Sequence, residues 1–157
     1  MATVITNQQQ TVINRLAISE QNKILKHIIQ KVKESGIFGN SEINFNDLKT
    51  GVSNVGIILN SGSRKSRIYV DGGYDAEIPI SVILRCIGEA SDDRRLHNID
   101  LVNQLGIWFD ENIVRDKTIT GYTIYSVNQT TQANITYADE SGIEDVGADF
   151  TIMYSKD

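Results

Sequence analysis

The pattern of the chain predicts an α+β fold, a mostly antiparallel β-sheet with two main helices packed on one face, in the order α-β-β-β-α-β-β. Two segments repeat apolar residues at three- and four-residue spacing, the mark of an amphipathic helix, and five repeat them at every second position, the mark of a strand with one buried face. The strand segments adjoin one another through short polar turns. That favours antiparallel pairing, with the helices gathered on one side.

The first helix is read in "SEQNKILKHIIQKVKESG", where Ile24, Ile28 and Val32, with Leu25 and Ile29 beside them, make an apolar stripe. Ser19 or Asn22 is placed to cap its start and Gly36 to end it, while Val12, Ile13 and Leu16 upstream would add a short turn. "IFGNSEINFNDLKTG" breaks the pattern and reads as irregular chain or a short strand. Alternation then begins with Val55, Ile57 and Leu59 and runs through "RIYVDGG" into "AEIPISVILRC". In that last run Ile78, Ile80, Val82, Leu84 and Cys86 face one way, and Ile83, Arg85 and Ile87 face the other.

The second helix is read in "SDDRRLHNIDLVNQLGIWFDEN". Ser91 is a candidate cap, and Asp92 and Asp93 sit in the first turn, where carboxylates suit the helix dipole. Leu101, Val102, Leu105, Trp108 and Phe109 form its stripe, so Trp108 is expected between helix and sheet. "GYTIYSV" and "GADFTIMYS" read as strands, the latter with Ala148, Phe150, Ile152 and Tyr154 on one face. The polar connection between them has room for one short strand at 135–137. No internal repeat is visible and no linker divides the chain, so residues 1–157 are expected to form one domain, with 1–18 as an arm or short helix.

A net charge of -5 repels nucleic-acid phosphates, so a dedicated nucleic-acid module is not expected. One cysteine excludes an internal disulfide and a cysteine-rich zinc site and agrees with a reducing compartment. The start of the chain lacks the pattern of a signal peptide, and no apolar run approaches the ~20 residues of a membrane span. Folding in a cytoplasm is expected.

Little in the sequence looks like chemistry. His27 and His97 have no second histidine or cysteine at ligand spacing, so each reads as satisfied or solvated, and no metal, cofactor or catalytic group is expected. Cys86 alternates with aliphatic residues and reads as a small core residue. "DGGYDAE" reads as a turn between strands, matching neither a calcium loop nor a phosphate loop. "NSGSRKSR", with Arg64, Lys65 and Arg67, is the one basic cluster. It reads either as a solvated hairpin tip or as a flexible finger that reaches a partner.

In "LNSGSRKSRIYVDGGYDAEIPISVILRC", "SDDRRLHNIDLVNQLGIWFDEN" and "DESGIEDVGADFTIMYS", the chain resembles the minor capsid and tail-terminator proteins of long-tailed bacteriophages. The resemblance implies a virion protein of the tail and neck, assembled in the bacterial host cytoplasm. Such a subunit closes into a ring, six-fold in this family, on the head-proximal end of the tail tube, where it stops polymerisation and offers a head-tail joining surface. Its partners would be other copies of itself, the tail-tube protein and the head-completion or connector proteins. The alternative is a minor capsid or connector role, or another non-enzymatic binding module. On this reading the basic hairpin and the surface near Arg85 would meet an acidic surface on the next copy. Asp92 and Asp93, or Glu140, Glu144 and Asp145, are the candidates for that acidic side. Ile83, Arg85 and Ile87 would be covered by the second helix or by a neighbour, the helix being preferred.

Overall fold

The computed structural model describes residues 14–87 and 92–157. Among them the order is α1 (Ile18–Ser35), β1 (Glu42–Phe45), β2 (Asn54–Leu59), β3 (Arg64–Ile68), β4 (Tyr74–Ile87), α2 (Asp92–Asn112), β5 (Tyr122–Gln129), β6 (Asn134–Ala138) and β7 (Ile143–Lys156). The α+β class stands, with a seven-stranded, mostly antiparallel sheet in the order β1-β2-β4-β7-β5 and with β3 on β4 and β6 on β7. The irregular segment after α1 supplies β1, and the polar connection supplies β6.

Two fourteen-residue strands form the spine. β4 and β7 pair antiparallel from Tyr74 opposite Lys156 to Ile87 opposite Ile143. The predicted alternation is present on both, and Ile78, Ile80 and Val82 are buried together with Phe150, Ile152 and Tyr154. α1 supplies Ile24, Leu25, Ile28, Ile29 and Val32 to this face, and α2 supplies Val102, Leu105 and Phe109, so one core lies between sheet and helices. Leu84 is buried, whereas Cys86 only borders the core.

Several local expectations are corrected. α1 starts at Ile18, with Ala17 in the cap position and no side-chain cap bond, so neither Ser19 nor Asn22 caps it; Gly36 ends it as expected. Leu16 is buried ahead of the helix, whereas Val12, Ile13 and Ser91 lie outside the described residues. Trp108 is only partly buried at the edge of the core. Its neighbour Phe109 occupies the central place, edge-on to both Trp108 (5.8 Å) and Phe150 (5.6 Å).

The one parallel pair among the described residues, β1 with β2, is joined by only eight residues, 46–53, far fewer than a parallel crossover ordinarily takes. Gly56 makes this possible. The connection crosses the sheet face away from the helices so closely that a Cβ on Gly56 would stand 2.7 Å from the Asp47 carbonyl oxygen. The Asn46 N–H bonds the Ile57 carbonyl (2.7 Å), and Arg85 reaches across to the Lys49 carbonyl (3.1 Å).

The sheet contains an internal repetition that the sequence hides. Leu59 pairs Ile80 and Gln129 pairs Phe150; Arg64 pairs Glu77 and Asn134 pairs Gly147, each counterpart standing 70 positions later. β2 and β3 are therefore one long strand interrupted at 60–63, and β5 and β6 are another, interrupted at 130–133. In both, the first residue of the interruption still donates to the facing strand, Asn60 to Pro79 (3.0 Å) and Thr130 to Asp149 (2.8 Å). The register shift recurs between Lys65 and Arg67 and between Ile135 and Tyr137. The turns also match, with Tyr69 N–H on the Gly73 carbonyl, Asp139 N–H on the Ile143 carbonyl, and Gly72 and Gly142 at φ 92° and 89°. Ile80 and Phe150, which are counterparts, pair with each other at the centre.

This geometry corrects the reading of the basic segment. "NSGS" is no hairpin tip. It is the interruption within a strand, and Arg64, Lys65 and Arg67 lie on β3 in register with β4. The tip is the turn at 69–73, so "DGGYDAE" does join two strands, its first three residues in the turn and the rest in β4.

Candidate functional site

Three places gather charged or polar side chains. The first is buried and was not foreseen. Glu20, in the first turn of α1, is 6 % exposed and accepts hydrogen bonds from three phenols. Oε1 takes Tyr74 and Tyr122 (2.9 Å), and Oε2 takes Tyr154 (2.8 Å). The tyrosines come from β4, β5 and β7, so one carboxylate ties the helix to three strands. Lys65 stands over the Tyr74 ring at 4.4 Å, and Lys23 and Lys156 lie 5.7 and 5.8 Å from the centre of the Tyr122 ring.

Burial, with the Glu20 hydrogen bond second, raises all three phenols, Tyr122 to about 12 and the other two higher. Phenols so held stay protonated donors. The arrangement is a clamp rather than a source of nucleophiles. A sequence signal existed, because Glu20 precedes Ile24, Ile28 and Val32 at four-residue intervals and so sits on the buried stripe.

The second place is the sheet face away from the helices. Arg85 and Asp145, directly opposite on β4 and β7, form a two-point ion pair at 2.8 and 2.9 Å. Ser81 donates to Asp149 (2.6 Å) and accepts from Asn60 (2.9 Å). This face is therefore crossed by a polar network. α2 lies on the opposite face, so it does not cover Ile83, Arg85 and Ile87 as expected. Ile83 is half-buried beside Gly147 and Thr136, and Ile87 is exposed.

Glu144 is buried on the helix side and accepts from Arg95 at 2.9 Å. Arg85, Glu144 and Asp145 thus each have a partner within the subunit. Cys86 is half-buried, and burial first, then the Glu144 and Asp145 carboxylates, push its thiol up to about 11, which makes it a poor nucleophile.

His27 is satisfied. Its Nε2 lies 2.6 Å from Asp116 Oδ2, joining α1 to the segment after α2, while Asp116 Oδ1 also accepts from the Thr118 backbone (2.9 Å) and hydroxyl. Burial works against the Asp116 charge, but these bonds outweigh it and hold the carboxyl down at about 2. A carboxyl lowered on folding stabilises the fold above its ordinary value of 3.8 and loses that contribution as the pH falls towards about 2. Asp116→Asn should therefore be less stable than the wild type at neutral pH, and the two unfolding curves should converge between about pH 4 and pH 2. A constant gap across that range would mean that the carboxylate is not the source of the effect.

The third place is the outer rim. Asp92 and Asp93 are exposed at the start of α2, as is His97. On the first hairpin, Arg64 bonds Glu77 (2.6 Å) and Arg67 stands 5.7 Å from the Tyr69 ring. The hairpin is not a loose finger, because the Tyr69 hydroxyl donates to Asp75 (2.6 Å) and the Gly73 N–H to Asp71 (3.0 Å). Its end nonetheless exposes Ile68, Tyr69 and Val70, the last at 109 %. On the second hairpin Tyr137 and Glu140 are exposed, while Asp139 is occupied by its own turn, accepting from Ser141 and Ile143.

Among the described residues no cluster of three His, Cys, Asp or Glu is placed to hold a metal ion, and no helix is long and apolar enough to cross a membrane. Neither a scan against models of known protein families nor a search of curated proteins finds a match to this chain.

Proposed function

We propose that the chain is a structural, non-enzymatic protein of a long-tailed bacteriophage virion. It forms a ring on the head-proximal end of the tail tube, stops tube growth and offers the surface that joins head to tail. The observation that carries the reading is the end of the first hairpin. A braced β-hairpin that presents Ile68, Tyr69 and a fully exposed Val70, beside Arg64 and Arg67, is a poor surface for an isolated subunit and a good one for docking. The hydrogen bonds of the turn fix its shape before contact, so little entropy is lost on binding. The resemblance in the strand and helix segments supplies the particular role.

Removal of the gene from its phage should give tails of uncontrolled length that fail to join filled heads. Supplying the Val70→Asp variant should not restore joining, although the purified variant should melt close to the wild type, because a fully exposed side chain contributes little to folding. Normal infectious particles without the gene would end this reading.

A further inference from the structure

The two hairpins share one backbone but not one charge. β3 carries Arg64, Lys65 and Arg67 and its turn one carboxylate, Asp71, whereas β6 itself is uncharged and its turn carries Asp139 and Glu140 and no cation. They also stand on opposite edges of the sheet, since β3 lies on the β2 side of β4 and β6 on the β5 side of β7. Among the described residues each has a single strand partner, so its outer edge is open. An open edge is a row of unmet backbone donors and acceptors ready to take another strand.

We propose that β3 of one copy adds to β6 of a second copy, edge to edge and antiparallel, so that the chain assembles head to tail through its two equivalent hairpins. Strand direction permits it. β3 and β7 run the same way and β6 runs against both, so two copies in the same orientation bring β3 and β6 together antiparallel. Charge selects it. A β3·β3 contact would set cations against cations, while β3·β6 brings the start of β3, with Arg64 and then Arg67, towards the acidic turn that follows β6 and carries Glu140.

The two strands lie at diagonal corners, β3 facing the start of β4 and β6 the start of β7, so each added copy is stepped along the strand direction. Such a contact is heterologous and either closes into a ring or continues as a filament. It deepens the ring reading above by assigning the ring contact to these two edges.

The test is a charge swap followed by sedimentation of the whole chain. At about 0.1 mM protein in about 50 mM salt the wild type should associate, and raising the salt should weaken the association. Arg64→Glu with Arg67→Glu, and separately Glu140→Arg, should each weaken it by about tenfold or more without changing the circular dichroism. Combined in one chain, the three changes reverse the signs at positions 64, 67 and 140 and should recover much of the association. A wild type that stays monomeric, single-edge variants that associate like the wild type, or a combined variant no better than its parents would each overturn the edge pairing. Particles lacking the gene decide the tail role separately, because a chain that associates by this swap pattern yet is dispensable for tails keeps the contact and loses the function.

Discussion

Replacing Glu20 with alanine is expected to cost about 3–5 kcal/mol of folding stability, because the change leaves the hydroxyls of Tyr74, Tyr122 and Tyr154 without their acceptor. A domain of this size is typically stable by about 5–15 kcal/mol, so the variant would be close to unfolding at growth temperature. Tyr154→Phe removes one donor and keeps the ring in place, so its cost should be near 1–2 kcal/mol, roughly the worth of one hydrogen bond to a charged group. Urea unfolding with a constant m-value separates the two outcomes. An alanine variant within about 1 kcal/mol of the wild type would mean that the carboxylate contributes no more than an exposed side chain.

The same cluster makes an alkaline prediction. Burial and the Glu20 bond raise the folded value of Tyr122 from 10.0 to about 12, so its contribution is intact below about pH 10 and is lost as the pH climbs towards about 12. Tyr74 and Tyr154 are raised further in the same direction. The absorbance of the ionised phenols should therefore rise in two stages, the second coinciding with unfolding, and Tyr122→Phe should remove part of the second. Ionisation of all six tyrosines in one step near pH 10, with the fold intact, would place these three hydroxyls in water.

Phe109→Ala is the second large effect, also expected at about 3–5 kcal/mol. The ring is wholly buried, and its removal leaves a cavity between α2 and β7 beside Phe150. Trp108→Ala should cost less, because Trp108 lies at the margin of the core, although its side chain is larger. The order of the two variants in a thermal melt checks this, and a greater loss from Trp108 would reverse the placement. Trp108 is the only tryptophan, so native fluorescence gives a second readout, with emission expected between the fully buried and fully exposed limits.

The contrast between Trp108 and Phe109 shows where periodicity stops being informative. Leu101, Val102, Leu105, Trp108 and Phe109 span a stripe wider than the face that α2 can bury. Which of two adjacent aromatics points inward depends on the rotation of the helix against β5 and β7, and that rotation is set by the side chains opposite, Phe150 among them. α1 leaves no such choice. Its five aliphatic residues and Gly36 mark the buried face and the end of the helix, and all appear where the pattern puts them. The start of α1 was not legible in the same way. Glu20 is held by tyrosines 54, 102 and 134 residues away, so tertiary bonds rather than a local cap fix the first turn.

By itself the sequence determined the class of the fold, the inward faces of β4 and β7 and the turn in "DGGYDAE", because each follows from interactions between residues a few positions apart. Only the tertiary structure decided which charges are free. Arg85 and Asp145 are 60 residues apart and meet because one register of β4 against β7 places them opposite, where they form an ion pair within the subunit. The likeness of the two hairpins is likewise invisible in the residues, since backbone pairing, bulge and turn recur while the side chains do not. A strand ladder is held by main-chain bonds that nearly any residue can make. One shape can therefore be built twice with different side chains on its edge, and only the pairing register reveals that Arg67 and Tyr137 occupy the same place.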